Sequence, residues 1–202
     1  ATYLNALDAR CVCQNALNSD GAVRFPWHIH VLENGLRIGI VGIVTDHVNV
    51  WERPEHLVGL KISEPFSAAK AAAAALLSLK GKVDLTVCVY HGGFERDLTS
   101  GRVLSESTEN IGYRICQELD FDILLTGHQH MSVAGQMVFG TFVVQPSDSG
   151  REFLSVRAVV ANGHKAITSQ TIPASGECEP ALLDRFTDME KGAQTWLDVV
   201  VG

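Results

Sequence analysis

The chain has 202 residues, 46% of them hydrophobic and 19% charged, with a formal charge of −7. That is enough apolar material for one sizeable core. The acidic balance argues against nonspecific nucleic-acid binding, which rests on basic surface, and no apolar run reaches the roughly 20 residues that cross a bilayer. Neither nucleic acid nor membrane is an expected partner.

Cys11, Cys13, Cys88, Cys116 and Cys178 are odd in number and lack a framework spacing. Cys88 falls in an apolar strand and Cys116 on the apolar face of a helix, where a free thiol behaves as a small hydrophobe. Reduced thiols and a cytoplasmic setting are the expectation.

In chain order, His28–Glu33, Asn34-Gly35 and Leu36–Val44 form a β-hairpin signature, with Asn-Gly supplying the positive φ angles of a type I′ turn. The second strand is apolar almost throughout, which suits burial on both faces. Ser63 is the expected cap of a helix over 64–80, with Pro65 in its tolerated first turn. The alanine-rich stretch Ala68–Leu77 within it reads as a packed helix. Val83–Tyr90 is a buried strand that ends in His91-Gly92-Gly93. Thr108 caps a helix through Leu119, with Ile111, Ile115, Cys116 and Leu119 on one face. A strand from Asp122 then stops at Gly127-His128-Gln129-His130. Strand and helix alternate up to this point, which indicates a largely parallel sheet with helical cover.

The character then changes. Thr141–Gln145, Phe153–Val160 and Ala166–Ile172 read as antiparallel strands, with a second Asn-Gly turn at Asn162-Gly163. A terminal helix covers 179–199, with Leu182, Leu183, Phe186, Met189 and Trp196 as its apolar contacts. The division expected is a domain over 1–176 followed by a helix and linker over 177–202.

Ligands in open α/β sheets collect beyond the carboxyl ends of strands. His91, His128 and His130 all leave such ends, and zinc-type and manganese-type ions accept imidazole nitrogen. In an extended chain His128 and His130 point to the same side with Cα atoms roughly 6–7 Å apart. Each could then reach one ion of a pair lying about 3.5–4 Å apart. The three are candidate metal ligands, forming half of a binuclear site. Gly92 and Gly93 favour this by letting backbone approach an ion or substrate. No neighbouring Asp or Glu offers itself as a bridging carboxylate, since Asp84 and Asp122 open the strands that the histidines close.

Other chemistry-bearing residues have simpler readings. His28 and His30 share one face of a hairpin strand, and their spacing to Cys11 and Cys13 matches no common zinc finger. Thr108-Glu109-Asn110 is a helix start, with Glu109 favourable near the positive end of the dipole and, as the lesser reading, a polar group near a phosphate cleft. Arg96 and Asp97 read as a solvated loop pair. The chain contains no P-loop and no Gly-x-Ser-x-Gly elbow.

Taken together, these residues resemble the metallophosphoesterase domain of the 5′-nucleotidase / 2′,3′-cyclic-nucleotide phosphodiesterase family. The matching stretches are Gly35–Gly42, Val89–Glu95, Thr108–Asn110, Ile123–His130 and Val144–Pro146. Gln194–Gly202 resembles the linker into that family's nucleotide-recognition domain, and Thr2–Leu7 resembles the segment that follows its Gly-Asn-His-Glu motif. The family's Asp-x-His, Gly-Asp and Gly-Asn-His-Glu motifs do not occur in this sequence. The resemblance implies the C-terminal half of a four-layer αββα sandwich, a mixed sheet with antiparallel C-terminal strands. It implies two divalent ions, manganese, zinc or similar, in the intact enzyme, with His91 and His128 on one ion and His130 on the other. It implies a nucleotide or other phosphoester as substrate, attacked by metal-activated water. No residue of this chain is assigned as catalytic, and the chain alone is expected to be inactive. Either a second chain supplying the N-terminal half or self-association is the expected completion. A non-catalytic, partner-binding remnant of the same fold is the alternative.

Overall fold

The computed structural model describes residues 4, 6–79 and 83–199. Strands β1 (Cys13–Asn18), β2 (Val23–Phe25), β3 (His28–Val31) and β4 (Arg37–Val44) come first, followed by a short helix α1 (Val48–Trp51) and strand β5 (Leu60–Ile62). Helix α2 (Pro65–Ser78), β6 (Leu85–His91), helix α3 (Gly112–Glu118) and β7 (Ile123–Thr126) follow. The last elements are β8 (Val133–Val138), β9 (Thr141–Gln145), β10 (Glu152–Ala161), β11 (His164–Pro173) and helix α4 (Pro180–Leu197). The chain divides into two compact units, Ala1–Ile172 and Pro173–Gly202. Among the described residues, no helix is long and apolar enough to cross a membrane.

Six strands form the principal sheet, in the order β3-β4-β6-β7-β9-β8. The four central strands run parallel, with β3 and β8 antiparallel at the edges. The expected parallel core with antiparallel additions is therefore present, and the fold is α/β with a mixed sheet. Alternation along each strand separates two faces. Val41, Ile43, Cys88, Tyr90, Leu124 and Val143 point to the helical side and are buried there. Against them α2 sets Ala69, Ala72, Ala73 and Leu76, the i, i+3, i+4, i+7 stripe that makes an alanine-rich helix a packing element. Gly39 lets Leu76 settle onto the sheet, since a Cβ there would lie 2.9 Å from a Leu76 methyl.

The opposite face carries Ile38, Leu85, Val87, Ile123 and Leu125. The hairpin of β10 and β11 lies over it with Val156, Ala158 and Val160, leaving a cleft of about 520 Å³ between the layers. Lys165 on β11 is tied to Asp122 at 2.6 Å, and Asp122 also accepts from the Thr86 backbone N–H at 2.7 Å.

A small antiparallel sheet, β2-β1-β5, adjoins the ends of β4 and α2. Asn15 on β1 is wholly buried and joins it to the principal sheet. Its Nδ2 donates to Val44 O at 2.7 Å and Ser63 O at 2.9 Å, while its Oδ1 accepts from Val44 N at 3.0 Å.

Several local expectations are corrected. Gly35 has φ 85 but Asn34 does not share its positive φ, so the β3–β4 turn is not type I′. Gly35 N instead donates to Leu32 O and Leu32 N to Leu36 O, a longer loop with glycine in the left-handed position. Asn162 and Gly163, at φ 51 and 77, do make the turn that an Asn-Gly pair favours. The cap of α2 is Glu64, whose carboxylate accepts from Phe66 N and Ser67 N, while Ser63 bonds back to Asn15. Helix α3 starts at Gly112 rather than after Thr108. Its first N–H groups are satisfied by Glu95 from the loop after β6, at 3.0 Å from Tyr113 N and 2.8 Å from Arg114 N. Strand β9, expected to be antiparallel throughout, pairs parallel with β7 and antiparallel only with β8. Thr2, Tyr3 and Asn5 of the first family-like stretch, Lys80 at the expected helix end and residues 200–202 of the linker-like stretch lie outside the described residues.

Candidate functional site

Strands β6 and β7 are adjacent and parallel, so the loops that follow them leave from one rim of the sheet. His91 closes β6, and His128 follows β7 by one glycine. Their rings meet with centroids 5.2 Å apart, tilted by 53°. His91 is partly desolvated by its surroundings, and this burial, with His128 as a second cause, holds its imidazole below the usual histidine range. The structure thus brings two of the three expected histidines together.

His130 is placed differently. The extended geometry expected for Gly127-His128-Gln129-His130 is absent, because His128 and His130 sit at φ 67 and 56. Gln129 N donates to Gly127 O at 2.7 Å, closing a three-residue turn on His128. His130 is exposed. The Asp148 carboxyl is held below its usual range chiefly by Ser149, then by Arg151, with His130 the smallest contributor. A non-glycine residue in the left-handed region is uncommon, and such residues gather at functional sites.

Hydrogen bonds fix this turn from below. Gln145, wholly buried, lies 3.0 Å from the Thr126 hydroxyl and donates to Met131 O at 3.1 Å, so one side chain holds both ends of the histidine loop. Gln129 Oε1 accepts from Phe94 N at 2.8 Å, and its Nε2 donates to Phe94 O at 3.0 Å. Asn110 accepts from Gly93 N at 2.6 Å. The two glycines after His91 serve this packing. A Cβ on Gly92 would overlap the Tyr90 ring, and one on Gly93 would lie 2.5 Å from Gln129 Cβ.

Four further residues reach the rim outside the expected ligand set: Glu109, Trp51, His47 and Asp46. Glu109 Oε1 lies 2.6 Å from His128 Nε2, so its carboxylate faces a histidine and not a helix start. Trp51 stacks on the His128 ring with centroids 5.0 Å apart and planes 29° apart. His47, 5.9 Å from Trp51, lies 3.3 Å from Asp46. Asp46 and His47 lie just past the end of the parallel strand β4, as His91 lies at the end of β6, and that position was the available signal. Trp51 carried none, because its loop has no period to place it.

The donor types match hard and borderline cations, but their number does not. Among the described residues, no group of three or more His, Cys, Asp or Glu side chains is arranged to hold a metal ion. The second candidate set, Cys11, Cys13, His28 and His30, makes no such group either; the His28 and His30 rings stand 6.4 Å apart. Among the described residues, the donors do not complete a coordination shell for one ion or for two.

No protein-family model matches the chain. YunD of Bacillus subtilis (strain 168), an uncharacterised metallophosphoesterase, is 23% identical over 155 residues, 76% of this chain and 29% of that protein. A candidate 5′-nucleotidase from Staphylococcus aureus, solved in complex with α-ketoglutarate, superposes with a TM-score of 0.77 at 26% identity. The match covers 88% of this chain and 35% of that one. This chain has the fold of a 5′-nucleotidase-type metallophosphoesterase domain, in its C-terminal part. The sulfate thiohydrolase SoxB of Thermus thermophilus shares this metallophosphoesterase fold, with a TM-score of 0.69 at 18% identity over 85% of this chain and 29% of that one. The chain spans about a third of the length of these relatives.

Proposed function

We propose that this chain is part of a metal-dependent phosphoester hydrolase acting on nucleotides, either a 5′-nucleotidase or a cyclic-nucleotide phosphodiesterase. In that reading His91, His128 and His130 are its contribution to a two-ion centre. The observation that carries the reading is the His91–His128 pair on the rim of two parallel strands, on a fold shared with a candidate 5′-nucleotidase. In this reading hard oxygen ligands come from other residues, on this polypeptide or a second one, and the chain alone is expected not to turn over substrate; the incomplete donor set among the described residues supports it. Five free cysteines support a reducing, cytoplasmic setting.

The test has two arms. The chain alone, with manganese or zinc, should show no hydrolysis of AMP, 2′,3′-cyclic AMP or p-nitrophenyl phosphate above the buffer. Adding a segment that carries the Asp-x-His, Gly-Asp and Gly-Asn-His-Glu motifs should restore hydrolysis, and His128→Ala should abolish it. Activity of the chain alone that vanishes in His128→Ala would show the added motifs to be dispensable. A bound but inactive complex would favour the second reading, a non-catalytic module of the same fold.

A further inference from the structure

Glu109 has no helix to cap, because α3 begins three residues later and takes its N-terminal acceptors from Glu95. Its carboxylate is directed at His128 instead, 2.6 Å from Nε2. An ionised carboxylate can only accept, so the proton of this contact belongs to the imidazole. We infer that Glu109 is a positioning residue that holds His128 in its Nε2–H form and leaves Nδ1 as the one nitrogen through which this ring can bind a ligand.

The surroundings make the arrangement specific. Tyr90 Oη donates to the Glu109 carbonyl at 2.9 Å, and the next residue, Asn110, is buried and bonded to Gly93 N. The segment carrying Glu109 is therefore fixed to the loop after β6, while His128 stands on the loop after β7. Trp51 covers one face of the His128 ring and opposes the half-turn that would exchange its two nitrogens. His128 itself sits at φ 67, a backbone state uncommon for a non-glycine residue. A hydrogen bond from an imidazole N–H to a carboxylate belongs to the class that is stronger than a neutral pair. The inference concerns the protein's own proton and does not require that the site take a metal.

Long-range ¹H–¹⁵N correlation of the histidine rings, on the full labelled chain at about pH 8, above the ordinary imidazole range, tests it directly. The expected result is a His128 proton on Nε2 that exchanges slowly with water. In Glu109→Ala its exchange should accelerate on the order of tenfold or more, the loss of a hydrogen bond to a charged group. Glu109→Gln should fall between, because the amide oxygen still accepts. Amide exchange at Leu124 and Val143 in the core reports whether each variant is folded. A proton on Nδ1 in the native chain, or equal exchange in native and Glu109→Ala proteins, overturns the inference. Zinc chloride then separates it from the proposed function. A shift at His128 Nδ1 supports both, and zinc at Nε2 with loss of its proton overturns the role of Glu109. Zinc that perturbs none of the three histidines counts against the metal reading, with the Nε2 proton still deciding the role of Glu109.

Discussion

Gln129 grips Phe94 through both ends of its amide, accepting from Phe94 N at 2.8 Å and donating to Phe94 O at 3.0 Å. This pair joins the two loops that bring His91 and His128 together. Gly93 is the residue that lets them close, since a Cβ there would lie 2.5 Å from Gln129 Cβ. Gly93→Ala should push Gln129 away, break both bonds and cost about 1–3 kcal/mol, the penalty of overpacking with unmade hydrogen bonds. Gly127→Ala is the control, because nothing lies within 4 Å of its added Cβ. Urea unfolding of both should show a clear loss for the first and a change within about 0.5 kcal/mol for the second. Equal midpoints would mean that the loops are not coupled in this way.

Much of the principal sheet was legible because its strands are apolar runs of strand length and its helices carry a 3.6-residue stripe. His91 and His128 were legible for the same reason, as polar residues at the ends of such runs. The rest depends on partners far apart in sequence. Glu95 caps α3 from 18 residues away, and Glu109 reaches His128 from 19 away, so local spacing points to the nearer and wrong partners. The small sheet was missed because β2 and β5 are three residues long and have no period to detect. The extended picture of Gly127–His130 failed because Gln145 and Gln129, not the backbone preference, set that turn.

Asn15 concentrates the joining of the two sheets in one side chain. Asn15→Ala would leave Val44 N, Val44 O and Ser63 O without it in a buried setting. Each orphaned group costs about 1–3 kcal/mol, so the variant should lose at least about 2 kcal/mol in denaturant unfolding. Asn15→Asp should also be destabilised, because a carboxylate cannot donate to the two carbonyls. Native-like stability in both would remove Asn15 from this role.

The cysteines give a test that needs no mutation. Cys11 and Cys178 are exposed, whereas Cys88 and Cys116 are buried. Burial, with Cys116 nearby, pushes the Cys88 thiol far above its ordinary range, and burial followed by Glu95 pushes Cys116 up to about 12. The thiolate is the reactive form. Iodoacetamide under native conditions should therefore label Cys11 and Cys178 first, with Cys13 slower because burial raises its thiol too. Cys88 and Cys116 should label only as the protein unfolds. Peptide mass mapping that found Cys88 modified as fast as Cys11 would contradict the buried strand.

Glu64 couples α2 to pH. Burial works to raise its carboxyl, but the Ser67 and Phe66 donors, with Arg114 beyond them, outweigh it and hold the group below the usual glutamate range. The unfolded chain therefore binds the Glu64 proton more readily than the folded one, so stability rises with pH across the interval between the two pKa values. The capping contribution is complete above the ordinary glutamate value of about 4.3 and is lost as pH falls through the depressed folded value. At neutral pH Glu64→Ala should cost about 1 kcal/mol, the worth of a side-chain N-cap. The difference between native and variant proteins should shrink as unfolding is repeated at progressively lower pH below that range. A gap that stayed constant down to strongly acid pH would show that packing of the Glu64 side chain, and not its charge on the Phe66 and Ser67 N–H groups, is what α2 loses.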